Sequence, residues 1–240
     1  MSLTILILFT AVALFLSAIV RQISGFGFAL LSMPLITFIA GIRVATPLVA
    51  LTATTLGFLV ISDCWQQADR KALLWLVLTG VIGIPLGVLL INHLSEFWLK
   101  RSLGAFLLIY CLYSLVTPEL PLIQDGPITV FVGLISGLLT GAFNTGGPPV
   151  VIYGTLRRWS PEAFRATLQL YFLAVSAIAM IGHAVAGLWT SKILWLYVAS
   201  LPALLLGLYL GEKINLLIPK QLFNRIIYGM LFVTGLLFFV

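Results

Sequence analysis

Two short runs hold the groups best suited to binding a small anion: Ser24-Gly25-Phe26-Gly27-Phe28 and Asn144-Thr145-Gly146-Gly147-Pro148-Pro149. Each lies inside a long apolar stretch, 3–40 and 127–154. Glycine permits the left-handed backbone needed to leave a helix, and proline suits the start of the next one because it lacks an N–H. A helix that restarts after such a break presents unpaired N–H groups at the positive end of its dipole, where anions bind. Inside hydrocarbon, unwound backbone persists only when it is buried in protein or lines a wet cavity. Matched breaks in a duplicated chain are therefore the sequence pointer to a transporter's binding site. The competing reading is that the glycines only kink or pack helices.

The candidate substrate-binding residues are Arg21, Gln22, Ser24, Gly25, Phe26 and Gly27 at the first break, and Asn144, Thr145, Gly146 and Gly147 at the second, with Gln169 nearby in depth. Arg21 is the basic residue set well inside an apolar run, and its planar fork suits oxyanions. Snorkelling to the headgroups from a helix end is the alternative for it. Gln22 and Gln169 offer neutral hydrogen bonds, although a helix–helix contact explains Gln169 equally well.

These residues must be carried by membrane-spanning helices. Of 240 residues, 61% are hydrophobic and 8% charged, with a mean hydropathy of +1.17. Soluble domains carry about a quarter charged residues, so a lipid bilayer is the expected partner of this surface. The net charge of +6 does not point to nucleic acid, because the thirteen Lys and Arg are scattered through short connections. Cys64 and Cys111 stand far apart in no paired motif and predict neither a disulfide nor a thiolate metal site. No basic residue precedes the run Leu3 to Val20, which therefore reads as a retained transmembrane helix.

Apolar runs occupy roughly 3–40, 44–61, 72–92, 102–116, 127–154, 163–182, 193–210 and 223–240. The expected fold is all-α, with about eight transmembrane helices, the first of each half broken at its Gly-rich loop. Splitting both long runs would give ten passes, but only about nine residues lie between the second break and Arg157, under half of what a helix needs to cross. Alternate connections then hold Arg43, Lys100, Arg101, Arg157, Arg158, Arg165, Lys213, Lys220 and Arg225 against Arg70, Lys71 and Lys192. The richer side reads as cytoplasmic, which puts both termini outside. Trp65, Trp98, Trp159 and Trp189 sit at the connections, as interfacial aromatics do.

The chain is similar to itself at a nearly constant offset. A shift of 124 lays Gly83-xxx-Gly87 over Gly207-xxx-Gly211 and Arg101 over Arg225; 120 lays Leu74-Trp75-Leu76 over Leu194-Trp195-Leu196; 119 lays Gly25-Phe26-Gly27 over Asn144-Thr145-Gly146. Two repeats follow, 1–116 and 127–240, joined by a linker at 117–126. Four spans per half make the repeats parallel. The Gly-xxx-Gly pairs read as close helix packing.

Other chemistries fit less well. Ser136-Gly137 with a later His183 superficially suggests an intramembrane serine protease, but Leu134 stands where that motif wants a glycine. A metal-ion transporter would need clustered ligands, and the two histidines, His93 and His183, lie in different halves. His183 superposes on Asp63 and, near a span end, reads as an interfacial anchor, with a proton-linked role as the alternative. No catalytic residue and no cofactor is called for.

The run Ile23-Ser24-Gly25-Phe26-Gly27-Phe28-Ala29-Leu30-Leu31-Ser32-Met33-Pro34, with Gly141-Ala142-Phe143-Asn144-Thr145-Gly146-Gly147-Pro148-Pro149-Val150-Val151, resembles the TauE/SafE sulfite exporter family over essentially the whole chain. The resemblance implies a multi-pass inner-membrane permease that exports sulfite, sulfonates or related organosulfur anions. It leaves a coupling proton or ion, and a homo-oligomer, as open partners. Family members often carry Gly-x-Gly-Gly in both halves; here Phe28 replaces the last glycine of the first and Asn144 the first glycine of the second. An asymmetric pocket, gripping the anion more through the second half, is the expectation.

Overall fold

A computed structural model describes residues 3–61, 63–116, 122–123, 126–215 and 220–239. Among them all extended regular structure is helical: α1 (Leu3–Ser24), α2 (Phe28–Ala40), α3 (Ile42–Val60), α4 (Arg70–His93), α5 (Glu96–Val116), α6 (Pro127–Phe143), α7 (Gly147–Leu156), α8 (Pro161–Val185), α9 (Ser191–Asn215) and α10 (Lys220–Leu237), with a 3-10 turn at Asp63–Gln67. Most of the expected linker 117–126 lies outside the described residues, as does the side chain of Asp63. Among the described residues six helices, α1, α3, α4, α5, α8 and α9, are long and apolar enough to cross a membrane. Large apolar side chains such as Leu8, Ile82, Leu112 and Phe131 stay exposed, which is the surface a lipid solvent tolerates.

The apolar stretch 3–40 contains α1 and α2, and 127–154 contains α6 and all but the last two residues of α7. The second member of each pair is short. α2 has 13 residues and α7 has 10, so at 1.5 Å per residue they run about 20 and about 15 Å, well short of a hydrocarbon core of about 30 Å.

Two compact units emerge, and each draws helices from both halves of the chain. The first comprises Met1–Val49, Leu94–Pro118 and Trp189–Val240; the second comprises Ala50–His93 and Glu119–Leu188. In the first unit α1 packs along α9, and α5 packs against α10. Gly207 and Gly211 make the former contact possible: a Cβ on Gly211 would sit 2.9 Å from the Ile19 Cα, and one on Gly207 would sit 3.1 Å from the Phe15 Cα. The rings of Phe38 and Phe238 stack at 4.9 Å.

In the second unit α4 packs along α6 through glycine on both sides. Gly83 and Gly87 of α4 approach the α6 backbone, where added Cβ atoms would lie 2.7 Å from Leu138 N and 2.5 Å from Ala142 N. Gly133, Gly137 and Gly141 of α6 return the approach toward Leu76, Gly80 and Ile84 of α4. Absent side chains let the two backbones touch, the usual basis of helix association in membranes. Around this pair Leu76, Ile84 and Val88 of α4, Val150 and Tyr153 of α7, and Leu168, Tyr171, Val175 and Ala179 of α8 form a closed apolar core.

Trp159 is not simply an interfacial ring. Its indole donates to Asp69 Oδ2 at 3.0 Å, and the Arg157 guanidinium donates to the same oxygen at 3.4 Å. Asp69 Oδ1 meanwhile accepts from the Ala72 backbone N–H at 3.1 Å, capping the start of α4.

Candidate functional site

The interruption between α6 and α7 is built from paired backbone and unpaired side chains. α6 ends at Phe143, and Asn144 turns left-handed at φ 54°, a conformation that asparagine tolerates better than most residues. The Asn144 N–H still reaches Thr140 O at 2.8 Å, but the Thr145 N–H goes to Leu139 O at 3.3 Å. In an unbroken helix that N–H would have bonded Gly141 O. His183 of α8 supplies the missing donor: its Nε2 lies 2.8 Å from Gly141 O. A carbonyl only accepts, so Nε2 carries the proton.

A second carbonyl is held from α6 itself. The Ser136 hydroxyl donates to Gly146 O. The Tyr171 hydroxyl of α8 donates to Ser136 Oγ at 2.7 Å, and Thr140 Oγ1 donates to Ser136 O at 2.8 Å. A Cβ on Gly146 would strike Ser136 O and Thr140 Oγ1, so this position admits only glycine. Gly147 opens α7 beside the Phe172 ring, 3.3 Å from its would-be Cβ.

Asn144 and Thr145, together with the Nδ1 of His183, are exceptions to this pairing. Asn144 and Thr145 are 7% and 1% exposed, and neither amide atom of Asn144 nor Thr145 Oγ1 has a hydrogen-bond partner. A buried polar group left unsatisfied costs about 1–3 kcal/mol. Such groups in a native fold call for an explanation, a ligand among them. They adjoin the N-terminus of α7, where Pro148 and Pro149 remove two N–H groups and leave that of Gly147 without a helical partner.

The interruption between α1 and α2 is organised differently. Gly25 and Gly27 are left-handed at φ 80° and 96°. The Ser24 hydroxyl is bonded within the turn, to Val20 O at 2.7 Å and to Phe26 O. Gln22 Nε2 points to Leu208 O of α9 at 3.5 Å, and a Cβ on Gly211 would lie 2.9 Å from the Gln22 Cβ, so this side chain serves the α1–α9 contact. Phe26 is half-buried. Arg21 is 6% exposed, so it does not snorkel. Two sequence-predicted residues of this run are thus occupied by the protein itself. Gln169 is half-buried on α8 and already has an interaction partner.

Ser136 and His183 do not form a nucleophile–base pair. The serine is bonded to Gly146 O and Tyr171, the histidine to Gly141 O, and both are fully buried. His183 is likewise no interfacial anchor, because a carbonyl orphaned by the interruption draws it inside. Among the described residues no three His, Cys, Asp or Glu side chains gather as a metal site would require. Sequence reasoning missed Thr140 and Tyr171 altogether; the available signal was a hydroxyl-bearing residue in the middle of an apolar helix.

These features define an all-α, multi-pass membrane protein of the transporter kind. The chain belongs to the family described as sulfite exporter TauE/SafE, which it matches over residues 9–238. It is similar to the "Probable sulfite/organosulfonate exporter TauE" of Cupriavidus necator, with 25% identity over 222 residues, covering 90% of this chain and 86% of that one. No solved structure matches it significantly.

Proposed function

We propose that the protein is an inner-membrane permease that exports sulfite, sulfonates or related organosulfur anions, and that the α6–α7 interruption is its principal anion seat. In this reading the chain has eight spans in two like-oriented repeats, 1–116 and 127–240, with α1–α2 and α6–α7 each counted as one broken span and both termini outside. It works as a transporter rather than an enzyme and forms no covalent intermediate.

One observation carries the choice of an anion. At the second interruption the carbonyls of Gly141 and Gly146 accept from His183 and Ser136, whereas the Asn144 amide and Thr145 hydroxyl are left unpaired. A cation site would present the carbonyls and cover the donors. Here the Asn144 amide nitrogen and the Thr145 hydroxyl remain as donors, with Asn144 Oδ1 beside them, and the positive end of α7 is what favours an anion. These atoms have no accessible surface, so the anion reaches them only when the packing over them opens, as alternating access requires.

Export needs the least additional machinery. Moving one charge across 100 mV is worth about 2.3 kcal/mol, so an anion leaves a negative-inside cell downhill. The Cupriavidus necator relative's name supplies the substrate class. The test is anion flux in proteoliposomes loaded with sulfite, isethionate, thiosulfate or chloride. The reading expects sulfite or sulfonate flux to exceed chloride flux, and Asn144→Ala to reduce it while Gly27→Leu perturbs the first interruption. Flux unchanged by both substitutions in folded protein rejects the site.

A further inference from the structure

We propose that α8 sets the geometry of the anion seat, with His183 and Tyr171 acting as its positioning residues. The proposal rests on reading the α6–α7 interruption as that seat. The interruption takes the helical donor from Gly141 O, and it leaves Gly146 O as the N-cap carbonyl of α7. Both are satisfied by a side-chain donor that α8 supplies or backs: His183 Nε2 directly on Gly141 at 2.8 Å, and Tyr171 OH through Ser136 on Gly146 at 2.7 Å for its own link. The two carbonyls flank Asn144 and Thr145 in sequence, so the clamps fix the backbone on either side of the unpaired groups.

The chemistry of His183 separates this role from proton transfer. Its Nε2–H is committed to a carbonyl that cannot accept a second proton, and its Nδ1 has no partner. A side chain that only donates one N–H at the Nε2 position reproduces everything the histidine does here. Glutamine is that side chain, since its amide nitrogen extends about as far as Nε2 and does not titrate. Leucine fills similar space and donates nothing. Tyr171→Phe removes one hydroxyl and leaves the ring in the core.

The experiment measures sulfite efflux from proteoliposomes for the wild type, His183→Leu, His183→Gln, Tyr171→Phe and Asn144→Ala. Backbone hydrogen exchange over residues 139–147 is followed on the same preparations. Loss of one such hydrogen bond is expected to raise the half-saturating sulfite concentration about tenfold in His183→Leu, with a smaller change in maximal rate. Exchange over 139–147 should accelerate there. His183→Gln should restore both, and Tyr171→Phe should behave as a milder version of His183→Leu.

A His183→Gln variant no better than His183→Leu overturns the positioning role and favours a titrating histidine. So does His183→Leu indistinguishable from wild type in both readouts while Asn144→Ala loses affinity. If Asn144→Ala keeps wild-type affinity, the anion seat itself is misplaced, which is a separate failure. The chain has two histidines, so a His93→Gln background gives a single imidazole for nitrogen NMR. One protonated Nε2 and one bare Nδ1, unchanged on adding sulfite, is the expected signature. A protonated Nδ1 contradicts the clamp whatever the flux.

Discussion

Gly137 of α6 and Gly80 of α4 meet backbone to backbone: a Cβ on Gly137 would lie 2.7 Å from the Gly80 Cα and closer still to its carbonyl oxygen. Neither helix can yield without moving the core that Leu76, Ile84 and Tyr171 complete. Gly137→Val is expected to cost about 3 kcal/mol or more, at or beyond the upper end of overpacking penalties because backbone rather than a flexible side chain is struck. Thermal unfolding in detergent checks this, with Gly229→Ala as the contrast. Nothing lies within 4 Å of a Cβ at Gly229 in α10, and alanine there should hold or raise the melting temperature.

Asn144 combines a left-handed backbone with two unpaired amide atoms. Both features are unfavourable to folding, and glycine removes both. Asn144→Gly should therefore stabilise the protein by about 1 kcal/mol. A melting temperature that falls instead would show that the amide has a structural partner.

Thr145→Val keeps the shape of the side chain and deletes a hydroxyl that bonds nothing. Unfolding should be neutral to slightly favourable, in contrast to the usual cost of burying valine in place of a bonded threonine. Sulfite affinity should weaken by about tenfold. A substantial loss of stability with unchanged affinity would assign Thr145 to the fold.

The Asp69 cluster gives a pH dependence. Burial pushes this carboxyl up, but the Ala72 N–H, the Trp159 indole and Arg157 outweigh it, leaving it below the ordinary aspartate value. A carboxyl depressed in the fold contributes its full stability above the unfolded value and loses it as pH falls through the folded one. Stability should therefore hold down to the usual carboxylate range and decline below it. Asp69→Ala should cost about 2 kcal/mol at neutral pH, a helix cap plus charge-assisted bonds, and should flatten the acid decline. An unchanged acid profile in Asp69→Ala would remove the cluster from the account.

Much of the fold was legible because its signals are local. Charge depletion, apolar run lengths and the Gly25–Gly27 and Asn144–Gly147 punctuation follow from residue type alone, and the structure ends and restarts helices at those places. The Gly-xxx-Gly pairs were rightly read as packing, yet their partners were not, because Gly133, Gly137 and Gly141 lie some fifty residues from Gly83 and Gly87 in sequence. The same limit applies at the site. Ser24 and Gln22 looked like ligands from their type, but the first bonds its own turn and the second supports α9. His183 and Tyr171 bond groups more than thirty residues away, and no spacing rule encodes which carbonyl a break will orphan.

Sulfite efflux from proteoliposomes bearing Asn144→Gly, at matched incorporation with the wild type, tests the central claim most directly. An anion held by the Asn144 amide predicts an efflux rate at subsaturating sulfite reduced by about tenfold or more, from a protein that melts at or above the wild-type temperature. Wild-type efflux from that folded variant would contradict it.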